Sequence, residues 1–310
     1  MFPIAPGHPN YSSSGTAKFI PEIWSGKLIA NLYDATVLNA ICNTDYEGEI
    51  KKFGDKVNIR TIPVTTIKAY VKGQKLEYDR PESAAIELLI DKGFYWGFVV
   101  DRIDKYQADV PLMDNWTKDA SMRMKINTDT IVLQNIYNQA HASNQGLYAG
   151  AKSGNGSSFG YNMGVSGTPV PVTPTNILDC LVDMGSVLDE QNIPDDGRFA
   201  VLPPWMVGMI KKSDLKDASL TGDGSSILRN GRIGMIDRFT VYVSNLLHNA
   251  SGNYDVIFGT KLATTFAAQI TETETLKAES TFGDMVRGLL VYGYKVVKTE
   301  ALGWFYCTRG

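Results

Sequence analysis

Apolar residues along the chain change their period several times, and each change marks a predicted element. Between Pro111 and His141, Leu112, Trp116, Met122, Ile126, Leu133, Ile136 and Ala140 recur at steps near three and four, which lays them along one stripe of a helix. Lys118, Arg123, Lys125, Asn127, Asp129, Gln134 and Asn138 fill the other faces, and Asp119 and Thr130 interrupt the stripe. Pro111 stands in the first turn, where proline is tolerated. No glycine or internal proline breaks the run, so the spacing predicts one helix of roughly 45 Å at about 1.5 Å per residue. A helix that long serves as a spine for a domain.

Upstream, Phe19, Ile20, Ile23, Trp24, Leu28, Ile29 and Leu32 fall at helical spacing behind Pro21. They predict an amphipathic arm that lies on its own core or on a neighbouring subunit. From Gly54 the period becomes two: Val57, Ile59 and Thr61 alternate with Asn58, Arg60 and Ile62 until Pro63. A return limb, Ile86 to Val100, carries Ile86, Leu88, Ile90, Phe94, Trp96, Phe98 and Val100 on one parity. The two limbs are expected to pair. Between them lies a polar stretch with Lys68, Lys72, Lys75, Glu77, Asp79, Arg80 and Glu82, turning at Gly73 and Pro81. The whole reads as a long hairpin whose arms, at about 3.3 Å per residue, reach roughly 50 to 65 Å. A compact monomer does not need such reach, so the hairpin is expected to touch another molecule. The plainer alternative is a hairpin folded onto its own domain.

Downstream of the spine, Ser143 to Thr175 is dense in Gly, Ser, Asn and Pro and reads as a loop or a boundary. Thr175 is expected to cap a helix with Ile177, Leu178, Leu181, Val182, Met184 and Leu188 on its apolar face. Phe199 to Leu202 reads as a buried strand, Pro203 and Pro204 open a helix through Ile210, and Ser213 to Gly234 is a second loop. Strands follow at Ile236 to Leu247 and Val256 to Phe258, which makes Thr175 to Phe258 an α/β region with its own core. A last β limb runs from Ile270 through a turn at Ala278 to Gly283, then Val286 to Val297, and ends with Trp304, Phe305 and Tyr306.

Composition narrows the function. The 310 residues are 44% hydrophobic and 20% charged, as in an ordinary folded protein of one or two domains. A net charge of −3 from 30 basic and 33 acidic residues gives no sign of tight nucleic-acid binding. The first residues lack a basic leader and an apolar signal core, and no window approaches about 20 apolar residues, so neither secretion by that route nor a membrane span is expected. Cys42, Cys180 and Cys307 are few, scattered and odd in number, which fits reduced thiols in a cytoplasmic product. His8, His141 and His248 are isolated, so no metal pair is predicted. Gly26-Lys27 lacks the preceding glycine of a phosphate loop, and Ser166 lacks the frame of a nucleophile elbow. Asp101, Asp104 and Asp109 suit the positive end of the following helix. No catalytic residue, metal or cofactor is predicted, although an enzyme without a local motif remains the alternative of a different class.

Four segments carry a family resemblance: Phe19-Ile20-Pro21-Glu22-Ile23-Trp24, Gly54-Asp55-Lys56-Val57-Asn58-Ile59, Val99-Val100-Asp101-Arg102-Ile103-Asp104 and Gly288-Leu289-Leu290-Val291-Tyr292-Gly293-Tyr294-Lys295-Val296. In this order, with the spine between them, they resemble the major capsid (coat) proteins of tailed bacteriophages, the Hong Kong 97 fold. The resemblance implies an α+β chain in five parts: an N-terminal arm over 1–47 and an extended loop with its base strands over 48–100; then the spine helix of a peripheral domain over 101–145, an axial domain over 146–262, and returning peripheral strands with a C-terminal strand over 263–310. It implies self-assembly as pentamers and hexamers into an icosahedral head that encloses DNA without sequence-specific binding, built in the host cytoplasm and found in the virion. The other partners it implies are a portal, decoration proteins and, since no coiled coil precedes Phe19, a scaffolding protein encoded separately if one is used. Candidate contact residues are Lys68, Lys72, Lys75, Glu77, Asp79 and Glu82 on the loop, and Phe19, Ile23 and Trp24 on the arm. The shell of a cellular nanocompartment shares this architecture and stands as the nearer alternative.

Overall fold

The computed structural model describes residues 36–45, 56–60, 63, 65–80, 82, 85–101, 112–151, 160–213, 234–278 and 282–310. The expected N-terminal arm, with Phe19, Ile23 and Trp24, and most of the loop from Ser213 to Gly234 lie outside them. A short helix α1 (Leu38–Ile41) precedes strands β1 (Lys56–Arg60), β2 (Ala85–Leu89) and β3 (Lys92–Asp101), and then the long helix α2 (Leu112–Asn135).

The 24 residues of α2 span about 36 Å at ~1.5 Å per residue. The helix is shorter than the apolar period predicts because its end tightens into a 3-10 turn over Ile136–Gln139, and a second such turn follows at Ala142–Asn144. His141 starts that second turn, its Nδ1 accepting from Ser143 N–H at 3.2 Å. Thr117, Thr128 and Thr130 donate their hydroxyls to carbonyls four residues back, so these polar residues sit within the helix at no cost in partners. The apolar stripe is buried toward its C-terminal end, at Leu133, Ile136 and Ala140 with Val132 beside them, while Trp116 and Met122 stay partly exposed at 42% and 39%. Trp116 nonetheless meets the ring of Phe98 edge-on at 5.5 Å.

Asp129, expected on the wet face, is buried. Its Oδ2 accepts from Val37 N–H at 2.7 Å and Leu38 N–H at 3.2 Å, which fastens the start of α1 to the spine. The two limbs of the hairpin pair as expected only at their base, where β1 runs antiparallel to β2 from Lys56↔Leu89 to Arg60↔Ala85. The return limb breaks at Ile90-Asp91, and β3 leaves for another sheet. There it pairs with β11 (Gly283–Val296), which also pairs with β10 (Thr264–Lys277), giving the order β10-β11-β3. Phe94, Trp96 and Phe98 share the half-buried face of β3, and Phe98 meets α2 through Trp116. Gly288 has to be glycine: a Cβ there would stand 2.5 Å from the indole of Trp96.

The middle of the chain forms a second, seven-stranded sheet. Its strands are β4 (Val170–Val172), β5 (Arg198–Leu202), β6 (Met235–Ile236), β7 (Phe239–Val243), β8 (Asn249–Ala250), β9 (Asn253–Thr260) and β12 (Leu302–Arg309), with helices α3 (Ile177–Glu190) and α4 (Pro204–Ile210) between them. The order is β4-β12-β9-β5-β7-β6, with β8 on β9. Every residue of β5 is buried, as a central strand covered on both faces requires. Leu181, Met184 and Leu188 of α3 and Met206 of α4 pack on one face with Phe258 and Phe305. On the other face, Val201, Ile257 and Leu302 meet Leu133 and Ile136 at the end of α2. β12 therefore belongs to this sheet, between β4 and β9, and not beside the returning strands β10 and β11.

Two local expectations change. Asn176, not Thr175, precedes α3, and it orders the turn before the helix: its Oδ1 accepts from Thr173 N–H at 2.7 Å and its Nδ2 donates to the Pro171 carbonyl at 2.9 Å. The glycine-rich stretch after the spine is partly woven into the fold, with Ala149 bridging Tyr161 and Tyr306 N–H donating to the carbonyl of the buried Met163 at 2.8 Å. Arg198, almost fully buried, joins α3 to β5 by an ion pair with Asp189 at 2.7 Å and a bond to the Pro194 carbonyl at 3.1 Å.

Burial raises the Asp129 carboxyl above its ordinary 3.8, against the two backbone N–H bonds that pull it down. A raised carboxyl holds its proton longer in the folded chain, so its contribution to stability is full below 3.8 and is lost as pH climbs through the folded value. Asp129→Ala should cost about 1–3 kcal/mol by orphaning two buried donors. Asp129→Asn keeps one acceptor oxygen and cannot ionise, so its deficit against the parent should shrink as pH rises from 4 to 7. Denaturant melts at several pH values check this, and a deficit that grows with pH refutes it.

Candidate subunit interface

The segment between β1 and β2 has the residues of an arm that finds no support in its own molecule. From Thr65 to Arg80 every residue is exposed, and no strand pairing holds the segment. Its tip is a turn in which Gln74 N–H donates to the Val71 carbonyl at 3.0 Å, and the φ of +87° at Gly73 calls for glycine. Lys68 reaches across the loop to Asp79 at 2.9 Å and to Glu77 at 3.8 Å, which draws the two limbs together beyond the last ladder bond.

Charges alone do not describe this surface. Ile67 is 97% exposed and Tyr78 85%, and Tyr70, Val71 and Leu76 are exposed beside them. One exposed apolar residue is ordinary, but a cluster on an extended arm marks a contact surface. These residues were missed in the sequence because the stretch is dominated by lysine and acid. Their signal was present: Ile67 and Val71 share one parity, Tyr70, Leu76 and Tyr78 the other, so both sides of the extended chain carry apolar groups.

A second apolar surface lies on the outer face of the three-stranded sheet. Tyr95 is 85% exposed, and Val99, Leu276 and Leu289 stand on the same face by register. Gly93 and Gly97 share it and leave it flat. One ion pair crosses it, Arg287 to Glu274, with Nη2 and Nε both on Oε2 at 2.6 and 2.9 Å. Phe282, at the turn into β11, is also exposed.

Of the residues expected to make contacts, Lys68, Lys72, Lys75, Glu77, Asp79 and Glu82 all lie exposed on the loop. The structure brings Lys68, Glu77 and Asp79 together, whereas Lys72 and Lys75 have no ion-pair partner among the described residues. Phe19, Ile23 and Trp24 lie outside the described residues.

The interior offers little chemistry. A cavity of about 240 Å³ between α1, α2 and the inner sheet face is lined largely by Leu38, Trp96, Met124, Phe266 and Leu290. The carboxylate at its wall, Asp129, is committed to α1. Among the described residues no three His, Cys, Asp or Glu side chains are grouped to hold a metal, and no helix is long and apolar enough to cross a membrane. The cysteines are free and buried. Burial, followed by the charges of Asp183 and Asp179, pushes the Cys180 thiol up to about 11. Burial raises Cys42 and Cys307 further, helped by Asp129 at the first and by Cys180 and Asp255 at the second. Thiols held protonated and covered are poor nucleophiles.

The sequence model of the phage capsid protein family matches residues 87–306. A solved structure from Mycobacterium phage Che8 is 26% identical, covering 93% of this chain and 97% of that one, with a TM-score of 0.73. The capsid of cyanophage P-SCSP1u superimposes with a TM-score of 0.74 over 96% of each chain at 14% identity. The capsid of Ralstonia phage GP4, at 12% identity, covers 98% of this chain and 99% of that one with a TM-score of 0.62. Among curated proteins none matches the chain.

The buried thiols give a direct check on the packing around them. At pH 8 a thiol reagent should label the folded chain slowly, and in denaturant it should label Cys42, Cys180 and Cys307 alike with or without reductant. Rapid labelling of any of the three in the native state would show that its surroundings are open.

Proposed function

We propose, from the premise that this chain belongs to the phage capsid protein family, that it builds the icosahedral head of a phage by laying its exposed loop on the sheet of a neighbouring copy. It is a structural protein of the virion, not an enzyme, with the α+β capsid fold of the Hong Kong 97 type. Its first partner is itself. The observation that carries the reading is the loop from Thr65 to Arg80, which exposes five large apolar side chains on a segment without a fold of its own. Burying such side chains is worth about 1.5–3 kcal/mol each before the entropy of association is deducted. The flat outer face around Tyr95, Val99 and Leu289 offers a matching apolar surface.

Pentamers and hexamers of the chain are the units of the head in this reading. The three-stranded sheet with α2 serves as the peripheral domain, the seven-stranded sheet with α3 and α4 as the axial domain, and Phe19, Ile23 and Trp24 as contacts of the arm. A portal and decoration proteins are its further partners in this reading. The slight negative charge supports enclosure of DNA without tight binding to it.

Charge on the loop sets approach and register. Lys68 is held by Asp79 and Glu77, so its reversal would disturb the loop itself. Lys72 and Lys75 are the lysines available to a neighbour, where they would steer encounter with an acidic surface. Lys72→Glu with Lys75→Glu should leave the subunit folded and slow shell formation several-fold at low salt. The defect should fade toward about 1 M salt, where screening shortens to ~3 Å. Ile67→Asp with Tyr78→Asp should abolish shells at any salt. Sedimentation and electron microscopy read both outcomes, and normal shells from the aspartate variant would remove the loop from the contact.

A further inference from the structure

The end of the seven-stranded sheet beyond β12 carries an open pocket of about 360 Å³, lined by Pro174, Trp205, Gly208, Met209, Lys212 and Arg309, together with Gly310. Its floor is apolar. Trp205 lies against Tyr254, Met209 is buried, and a Cβ added at Gly208 would meet nothing within 4 Å, so the floor is open above that glycine. The rim is cationic, because Lys212 and Arg309 are exposed and neither has an ion-pair partner among the described residues. The indole N–H of Trp205 is buried without an acceptor. Lys212 and Arg309 leave two positive charges on the rim for a partner to meet.

The complementary surface is on α3. Val182 is 51% exposed in the middle of this otherwise well-buried helix, flanked by Asp179 one turn before it and by Asp183 next to it. Neither acid has an ion-pair partner among the described residues. Asp183 is half-buried, and burial, then the charge of Asp179, raises its carboxyl above the ordinary value. A cation brought against the pair would reverse that.

We infer that Asp179, Val182 and Asp183 of one copy dock into the Trp205, Lys212 and Arg309 pocket of the next copy, head to tail within a ring. The valine covers the apolar floor and the carboxylates meet Lys212 and Arg309. Donor and acceptor are different patches of one chain, so the contact can run head to tail from copy to copy and close a ring where its rotation allows. This contact rests on the capsid reading and is independent of the loop from Thr65 to Arg80.

Charge exchange tests it. Lys212→Glu with Arg309→Glu, or Asp179→Lys with Asp183→Lys, should each lower the yield of rings and shells at low salt by about tenfold or more. All four changes in one chain should restore the yield to within about twofold, since the attraction is merely inverted. A four-fold variant as defective as either pair overturns the contact. So do pair variants that assemble normally, including one that assembles normally but packages DNA poorly, which would give the pocket to nucleic-acid phosphate.

A second readout does not depend on the charged variants folding. Val182→Cys with Gly208→Cys, under a mild oxidant, should give a ladder of covalent oligomers, and a mixture of the two single variants should stop at dimers. Shells that form without any such cross-link overturn this contact and leave the capsid reading intact. Failure of the unmodified chain to form shells with its phage partners overturns both.

Discussion

At the C-terminal end of α2 the two sheets share a core. Val132, Leu133 and Ile136 pack against Phe199, Val201, Ile257 and Leu302 of the seven-stranded sheet and against Tyr292 and Val296 of the three-stranded one. A polar cluster fixes the same joint. The buried Asp255 bonds His248 Nδ1 and accepts from the Trp304 indole at 2.7 Å, while Tyr137, one residue past the 3-10 start, stacks on the His248 ring at 5.3 Å. Removing either partner would leave one oxygen of the buried Asp255 unpaired, so the cluster holds the angle between the spine and the sheet more firmly than apolar packing alone would.

Rigidity at that joint decides what the exposed segments can do. An arm contributes to assembly only if its root is fixed, since each degree of freedom lost on docking subtracts from the contact. The root of the loop is fixed twice, by the β1–β2 ladder and by Leu88, Ile59 and Ile90 packed on Ala267. Farther out, Lys68 ties the limbs together through Asp79 and Glu77. An exposed pair of this kind contributes little to folding, on the order of 0.2–1 kcal/mol. Its value lies in narrowing the conformations of a loop whose other internal hydrogen bonds, among the described residues, are those of the Val71–Gln74 turn at its tip.

The fold was legible wherever one period ran unbroken. The long helix, the fully buried β5 and the apolar face of α3 follow from spacing alone. What was lost depended on contacts between segments far apart in the chain. The return limb looks like one strand because Leu88 and Phe94 share a parity, and only the preference of β3 for β11 splits it. Asp129 reads as a solvated residue because the helix pattern contains no trace of the two backbone N–H groups ninety residues upstream that it serves. β12 reads with the returning limb because it follows β11 closely, yet its ladder is made with β9 from Leu302↔Gly259 to Thr308↔Asn253. For the interface, the charged positions were visible and the apolar ones were not, because an alternation test rewards one apolar face and this loop has two.

Exposing so much apolar surface invites unwanted association, and the arrangement of the chain limits it. Ile67, Tyr70, Val71, Leu76 and Tyr78 are interleaved with Lys68, Lys72, Lys75, Glu77 and Asp79, so an approaching chain without matching charge must desolvate or oppose an ion at almost every step. The outer sheet face uses the same device once, with the Arg287–Glu274 pair set among Tyr95, Leu289 and Leu276. In the proposed contact, the partner that buries both surfaces is one whose charges alternate in the complementary register, and a second copy would present them at the same address on every subunit. In that contact, specificity for self would come from the spacing of ions between the apolar groups, while the apolar groups would supply the strength.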